Sequence, residues 1–224
     1  MGMNDAMTAT TDGAVTEQPG KSPVEPRTPQ MLSHLAYVTK DAKATEEFYT
    51  KVLKMDFVNG VMDDSVPSTG DDFPYFHIFF RLGDGSTIAF FEAPGLPDRD
   101  PPPHPAYRIF DHLALEVSSP QEVDAWKARL EEHGLDVVGP TDHGIIYSIY
   151  FRDPVNDIRL ELTAPLKADW NDRGPAAAAA MKVWVQTKDE AKARSAEPAV
   201  ALTELIKAKR RILPTDPMLN TDPL

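Results

Sequence analysis

Ser33-His-Leu-Ala-Tyr-Val-Thr39 and Asp111-His-Leu-Ala-Leu-Glu-Val117 decide the architecture of this chain. His-Leu-Ala is identical in both, at an offset of 78 residues from His34 to His112. Both stretches read as strands rich in apolar and β-branched residues. The elements downstream of each stretch recur as well. After the first, Asp41 is placed to cap a helix over residues 42–54, with Phe48 and Val52, and Tyr49 and Leu53, on its buried side. Three strands come next, at 57–62, 75–82 and 86–92, the last two joined by a Gly83-Asp84-Gly85 turn. After the second, Ser119, Pro120 and Glu122 open a helix over 120–133 that turns Val123, Trp126 and Leu130 inward and closes at Gly134. Three strands again succeed it, at 135–139, 144–152 and 158–163. The order strand, helix, strand, strand, strand thus occurs twice. It predicts an α+β fold of two tandem βαβββ modules, 31–95 and 108–165, whose sheets pack edge to edge around a shared cleft.

The flanks have a different character. Residues 1–30 are Thr, Pro, Gly, Glu and Asp with few large apolar side chains, a composition that predicts a flexible tail. Six prolines between Pro94 and Pro105 make the connector between the modules extended and stiff. Beyond the 31–165 domain, residues 166–224 form a helical extension. An Ala-rich helix runs from near Pro175 towards Arg194, and a second covers 199–211. Val183, Trp184 and Leu202 are expected to dock on the core or on a second subunit, and a Pro-containing tail closes the chain.

Composition narrows the chemistry. The 224 residues include no cysteine, so any metal must sit on His, Asp or Glu. The net charge of −12 resides in residues 31–165, which hold 11 Lys+Arg against 23 Asp+Glu. Such a surface repels phosphate backbones and argues against nucleic acid as a partner. No apolar run reaches the ~20 residues that span a bilayer, and no secretory signal is evident. A cytoplasmic location is the expectation.

Strand alternation sorts side chains by face. In 111–117, Leu113, Leu115 and Val117 face the helices, leaving His112, Ala114 and Glu116 on the concave side. In 158–163, Ile158, Leu160 and Leu162 face the helices, leaving Arg159, Glu161 and Thr163 opposite. By the repeat, His34 occupies the place of His112. Two imidazoles and a carboxylate (His34, His112 and Glu161) form a donor set for a divalent first-row metal with open positions, suited to Fe(II). Glu92 closes the last strand of the first half as Glu161 nearly closes that of the second. As a fourth ligand it would suit Ni, Co, Zn or Mn and proton transfer. His77 alternates with Tyr75, Phe79 and Arg81 and is a candidate substrate contact. Tyr75, Phe79 and Phe90 belong to two aromatic clusters, 75–80 and 90–91, that would line an apolar pocket for an aromatic small molecule.

The repeat resembles the vicinal oxygen chelate superfamily, which includes glyoxalase I, bleomycin-resistance proteins and extradiol ring-cleaving dioxygenases. The resemblance rests on SHLAYVT, EEFYTKVLKMDFV, DGSTIAFFE, DHLALEV and YFRDPVNDIRLELT and covers residues 31–165. It implies a half-barrel metal cleft and, commonly, a homodimer or higher homo-oligomer. The segment Asp153-Pro154-Val155-Asn156-Asp157 departs from the family's usual turn by one extra residue and no Gly. The resemblance implies one of three activities. The extradiol enzymes are similar in carrying a Tyr just before this turn and a His upstream of it, positions matched by Tyr150 and His143. This favours an Fe(II) dioxygenase of a catecholic aromatic. The order His34, Glu92, His112, Glu161 resembles glyoxalase I and the epimerases, with Glu92 as the proton carrier. A non-catalytic binding protein needs no such ligands.

Overall fold

The computed structural model describes residues 25–212. The tail expected over 1–30 lies outside the described residues up to 24, as does the segment after 212. The chain divides into a small N-terminal unit, Met1–Leu32, and a main unit, Ser33–Leu224. Residues 25–32 of the first are exposed and without regular structure.

The main unit holds two open four-stranded sheets. The first has the order β1(His34–Thr39), β4(Thr87–Glu92), β3(Asp72–Arg81), β2(Asp56–Ser65); the second has β5(Leu113–Glu116), β8(Arg159–Pro165), β7(Ile146–Arg152), β6(Val138–Asp142). The same topology therefore occurs twice, with one parallel pair, β1–β4 or β5–β8, in each sheet. A parallel pair requires a crossover, and each runs through the module's helix and its next two strands. The sixth strand starts three residues later than the sequence pattern suggests, at Val138, past the Leu135-Asp136-Val137 approach.

Each helix begins where a short polar side chain caps it. Asp41 accepts the amide of Ala44 at 2.8 Å ahead of α1(Ala42–Glu47), and Ser119 accepts that of Glu122 ahead of α3(Pro120–Glu132). α1 runs into a single π-helical turn, Phe48–Val52. Phe48, Tyr49 and Leu53 from this segment are all buried. Tyr49 stacks on Phe80 at 5.1 Å and lies 4.9 Å from Phe90. Val123 and Leu130 of α3 pack on the second sheet's Ile149, Phe151, Leu160 and Leu162 within the same continuous core.

The modules are fastened on their helical side. Arg129 of α3 donates to the carbonyls of Val52 and Lys51, and Lys54 lies over the Trp126 ring. The five-residue turn completes the fastening. Asp153, fully buried, accepts the amides of Val155 and Asn156, the Asn156 side chain and the hydroxyl of Tyr49. Asn156 also donates to Thr45 of α1. The extra residue is absorbed by Asp157, at φ 55, a left-handed conformation that Asp tolerates better than most residues. β8 therefore keeps its register.

The proline connector over Pro94–Pro105 carries no helix, and a short one, α2(Tyr107–Phe110), follows it. Beyond β8, α4(Gly174–Ala193) and α5(Pro198–Ile212) pack along one another and make no substantial contact with either sheet. Leu202 is buried in this hairpin, whereas Trp184, Met181 and Val185 remain exposed. The expected docking of Trp184 on the core does not occur.

Candidate metal centre

Register fixes which side chains share a face. In the second sheet Ala114 pairs with Glu161, and Glu161 with Tyr150. His112, Glu161 and Tyr150 therefore point to the side away from α3. His112 Nε2 stands 2.8 Å from Glu161 Oε2. The other imidazole nitrogen, Nδ1, lies 2.8 Å from the Phe110 carbonyl. A carbonyl only accepts, so Nδ1 carries the proton. The second nitrogen, Nε2, faces a carboxylate, which only accepts. A proton or a cation must lie between them.

Glu161 is 2% exposed, and its second oxygen, Oε1, is buried without a partner. An orphaned carboxylate oxygen beside an imidazole nitrogen is the pattern left by a bound divalent ion. The residues present thus fit a divalent metal.

Tyr150 borders the pair. Its hydroxyl meets His143 Nε2 at 2.8 Å, and its ring stands edge-on to His112 with centroids 6.0 Å apart. Burial, then the neighbouring Glu161 carboxylate, raises its hydroxyl above the ordinary phenol value. Tyr150 stays protonated near neutrality and can donate a hydrogen bond.

The first sheet presents a different surface. His34 is exposed and lies edge-on to His77 and Phe79, at 6.1 and 5.8 Å between centroids. His77 stacks on Phe91 at 3.5 Å, and Tyr75 meets Phe91 edge-on at 5.3 Å. His77 Nε2 is buried and unpartnered. Desolvation, with a smaller effect from the charge of His34, lowers the pKa of His77 and keeps it neutral. Among the described residues no three His, Asp or Glu side chains gather into a metal-holding group. The structure joins His112 with Glu161 and leaves His34 in its own module.

Two expectations are corrected. Glu92 lies on the helix-covered face, where its carboxylate accepts the amide of Ala42 at 2.6 Å and caps α1. The reason is register. Ala36 pairs with Ala89 as Ala114 pairs with Glu161, so Ala89 holds the place of the carboxylate. Glu92, three residues further, points to the opposite face. Phe90 likewise points into the core, fully buried against Tyr49 and Phe80. Phe91 takes the cleft-facing position that was expected of Phe90.

Residues 31–162 match the glyoxalase/bleomycin resistance protein/dioxygenase superfamily. That is more than half of the chain, and the protein belongs to this superfamily. Among curated proteins, it is similar to a putative ring-cleaving dioxygenase, MhqA, of Bacillus subtilis (strain 168). The two are 27% identical over 126 residues, which is 50% of this chain and 37% of the relative. Among solved structures, a glyoxylase/bleomycin resistance protein/dioxygenase domain from Frankia sp. EAN1pec is similar at a TM-score of 0.50 and 21% identity, covering 62% of this chain and 99% of that one. That domain shares the fold. A glyoxalase/dioxygenase from Nostoc punctiforme has a TM-score of 0.48 and 24% identity over 66% of this chain and 100% of its own. Among the described residues no helix is long and apolar enough to cross a membrane.

Proposed function

We propose that the protein is a divalent-metal enzyme of the superfamily that cleaves the ring of a catecholic aromatic with dioxygen. The observation that carries this reading is the His112–Glu161 pair, with Nε2 facing the carboxylate, its orphaned Oε1 and Tyr150 alongside. The likeness to a putative ring-cleaving dioxygenase supports it over the part of that protein which matches. The engagement of Glu92 with the α1 amide argues against the isomerase alternative, because the carboxylate needed to move a proton is on the wrong face.

His112 and Glu161 would hold the metal, with His34 as third ligand. Fe(II) suits this set, and Mn, Ni, Co or Zn fit the same donors. Bound there, the metal would supply open positions for a chelating diol and for oxygen. The remaining chemistry belongs to side chains. Tyr150 is placed to donate to a substrate oxygen, and His143, hydrogen-bonded to Tyr150, to accept and return a proton through it. His77, Tyr75, Phe79 and Phe91 offer an aromatic wall.

Because His34 stands apart from the pair within one chain, the reading includes a homodimer in which one copy's His34 completes the other's His112 and Glu161. The test is oxygen uptake by anaerobically Fe(II)-loaded protein with a panel of mono- and bicyclic catechols. Uptake that needs catechol, iron and His112 is expected. Iron-loaded protein that consumes no oxygen with any catechol would overturn the reaction. Mixing inactive His34→Ala and His112→Ala chains should restore about a quarter of the sites by random pairing. Activity in either variant alone, or none in the mixture, would overturn the shared site.

A further inference from the structure

Arg159 stands on the same face as Glu161, two residues before it on β8. Its guanidinium lies 4.2 Å over the Tyr150 ring, and one N–H reaches the carbonyl of Ile109. A guanidinium has five donors, and no carboxylate pairs with this one among the described residues. Arg81, Arg108, Arg152 and Arg194, by contrast, each pair with an acidic side chain. In a chain of net charge −12, an arginine without an acidic partner is not short of candidates to neutralise it.

The residue directly across from Arg159 on β7 is Arg152. Like charges opposed on neighbouring strands destabilise a sheet. Asp157 answers Arg152, accepting through Oδ1 at 3.2 Å and through its carbonyl at 2.8 Å, whereas Arg159 has the Ile109 carbonyl and the Tyr150 ring but no carboxylate among the described residues. Both arginines line a cavity of about 420 Å³ together with Leu135, Asp136, Val138 and Tyr150. Its walls are mostly apolar, and of its three charged side chains two are arginines and one is Asp136, on the loop after α3. A ligand suited to it has an apolar body and an anionic end.

We infer that Arg159 is a specificity-determining residue that binds a carboxylate carried on the aromatic substrate. The inference rests on the proposed reading of the site as one for a catecholic aromatic, and it names the class within it: carboxylated rather than neutral catechols. Planar guanidinium and carboxylate pair through two parallel hydrogen bonds, a geometry that lysine does not reproduce.

The test is calorimetric titration of the full-length, anaerobically Fe(II)-loaded protein with catechol, 3,4-dihydroxybenzoate and 3,4-dihydroxyphenylphosphonate. It is done on wild type, Arg159→Gln and Arg159→Lys, each first shown to melt cooperatively. Wild type should bind 3,4-dihydroxybenzoate about tenfold or more tightly than catechol, as expected of one charge-assisted hydrogen bond or more. That preference should shrink with added salt. Arg159→Gln should lose it, and Arg159→Lys should keep part of it. Equal binding of the two compounds by wild type, or an unchanged preference in Arg159→Gln, would overturn the inference. A preference for the phosphonate over the carboxylate would overturn the assignment of carboxylate. The same compounds in the oxygen electrode separate the two claims. Arg159-dependent binding without oxygen uptake defeats the proposed reaction and leaves the anion site standing; uptake without charge preference does the reverse.

Discussion

The Tyr49 hydroxyl donates to Asp153 Oδ2 at 3.2 Å and joins residues 104 positions apart in the chain. Both residues are fully buried, one in the π-helical turn of the first module, the other in the β7–β8 turn of the second. The bond is central to a set that also uses Asn156 and Thr45.

Tyr49→Phe should therefore lower stability by about 1.5–3 kcal/mol, the range for a hydrogen bond to a charged group. The core stacking on Phe80 would survive, so the loss reports on the bond alone. Urea denaturation would measure it. An unchanged midpoint would mean that the modules are held by the core without this contact.

The same residue sets a response to alkali. Burial, reinforced by the Asp153 charge, raises the Tyr49 hydroxyl well above 10.0. A raised value favours the protonated form in the folded state. Its contribution is complete below the ordinary phenol value of 10.0 and is lost as pH rises above it, because the unfolded chain ionises first. Thermal melts between pH 8 and about 11 should show a decline that is shallower in Tyr49→Phe. Parallel declines would assign the alkaline loss to other groups.

Phe90 and Phe91 should separate stability from binding. Phe90→Ala empties a core position and should cost about 3–5 kcal/mol. Phe91→Ala, on the cleft face, should cost less and weaken binding of aromatic ligands, because it removes the stack on His77. Melting curves and ligand titrations on both variants would decide. Equal destabilisation would contradict the assignment of faces.

Glu92→Gln should leave metal content and turnover near wild type while weakening the start of α1 by about 1 kcal/mol. Metal analysis and a melt suffice. Loss of metal in this variant would return Glu92 to the site.

Removal of residues beyond Leu166 should leave cooperative melting of the two modules, since α4 and α5 pack on each other rather than on the sheets. A non-cooperative melt would show that the hairpin belongs to the core.

The repeat made the topology legible, because two copies of His-Leu-Ala can be aligned without a structure. Alternation likewise separated His112 and Glu161 from the buried Leu160 and Leu162. What failed was the comparison of strand ends. Glu92 and Glu161 look alike because each lies near the end of a last strand, yet facing is set by pairing with β1 or β5, which no local pattern contains. The flanking residues held the signal: Ile88 and Phe90 enclose Ala89 as Leu160 and Leu162 enclose Glu161. Matching core to core would have placed Phe90 inside and Phe91 in the cleft. Arg159 was on the concave face in the sequence but without a role, since its lack of an acidic partner is a property of three dimensions. The separation of His34 from the pair was equally hidden, because it depends on how the modules are fastened.

Ala89, the methyl group standing where its twin carries a carboxylate, makes the duplication lopsided. A symmetric pair of modules would surround an ion with four side chains and spend most of its coordination sphere on the protein. Here one half carries no anion at that place. A metal held by the remaining three would carry more residual positive charge and more vacancies, which is what a chelating diol and a diatomic gas both require. Introducing a carboxylate by Ala89→Glu would close one of those vacancies and push the scaffold towards chemistry that needs only a carbonyl.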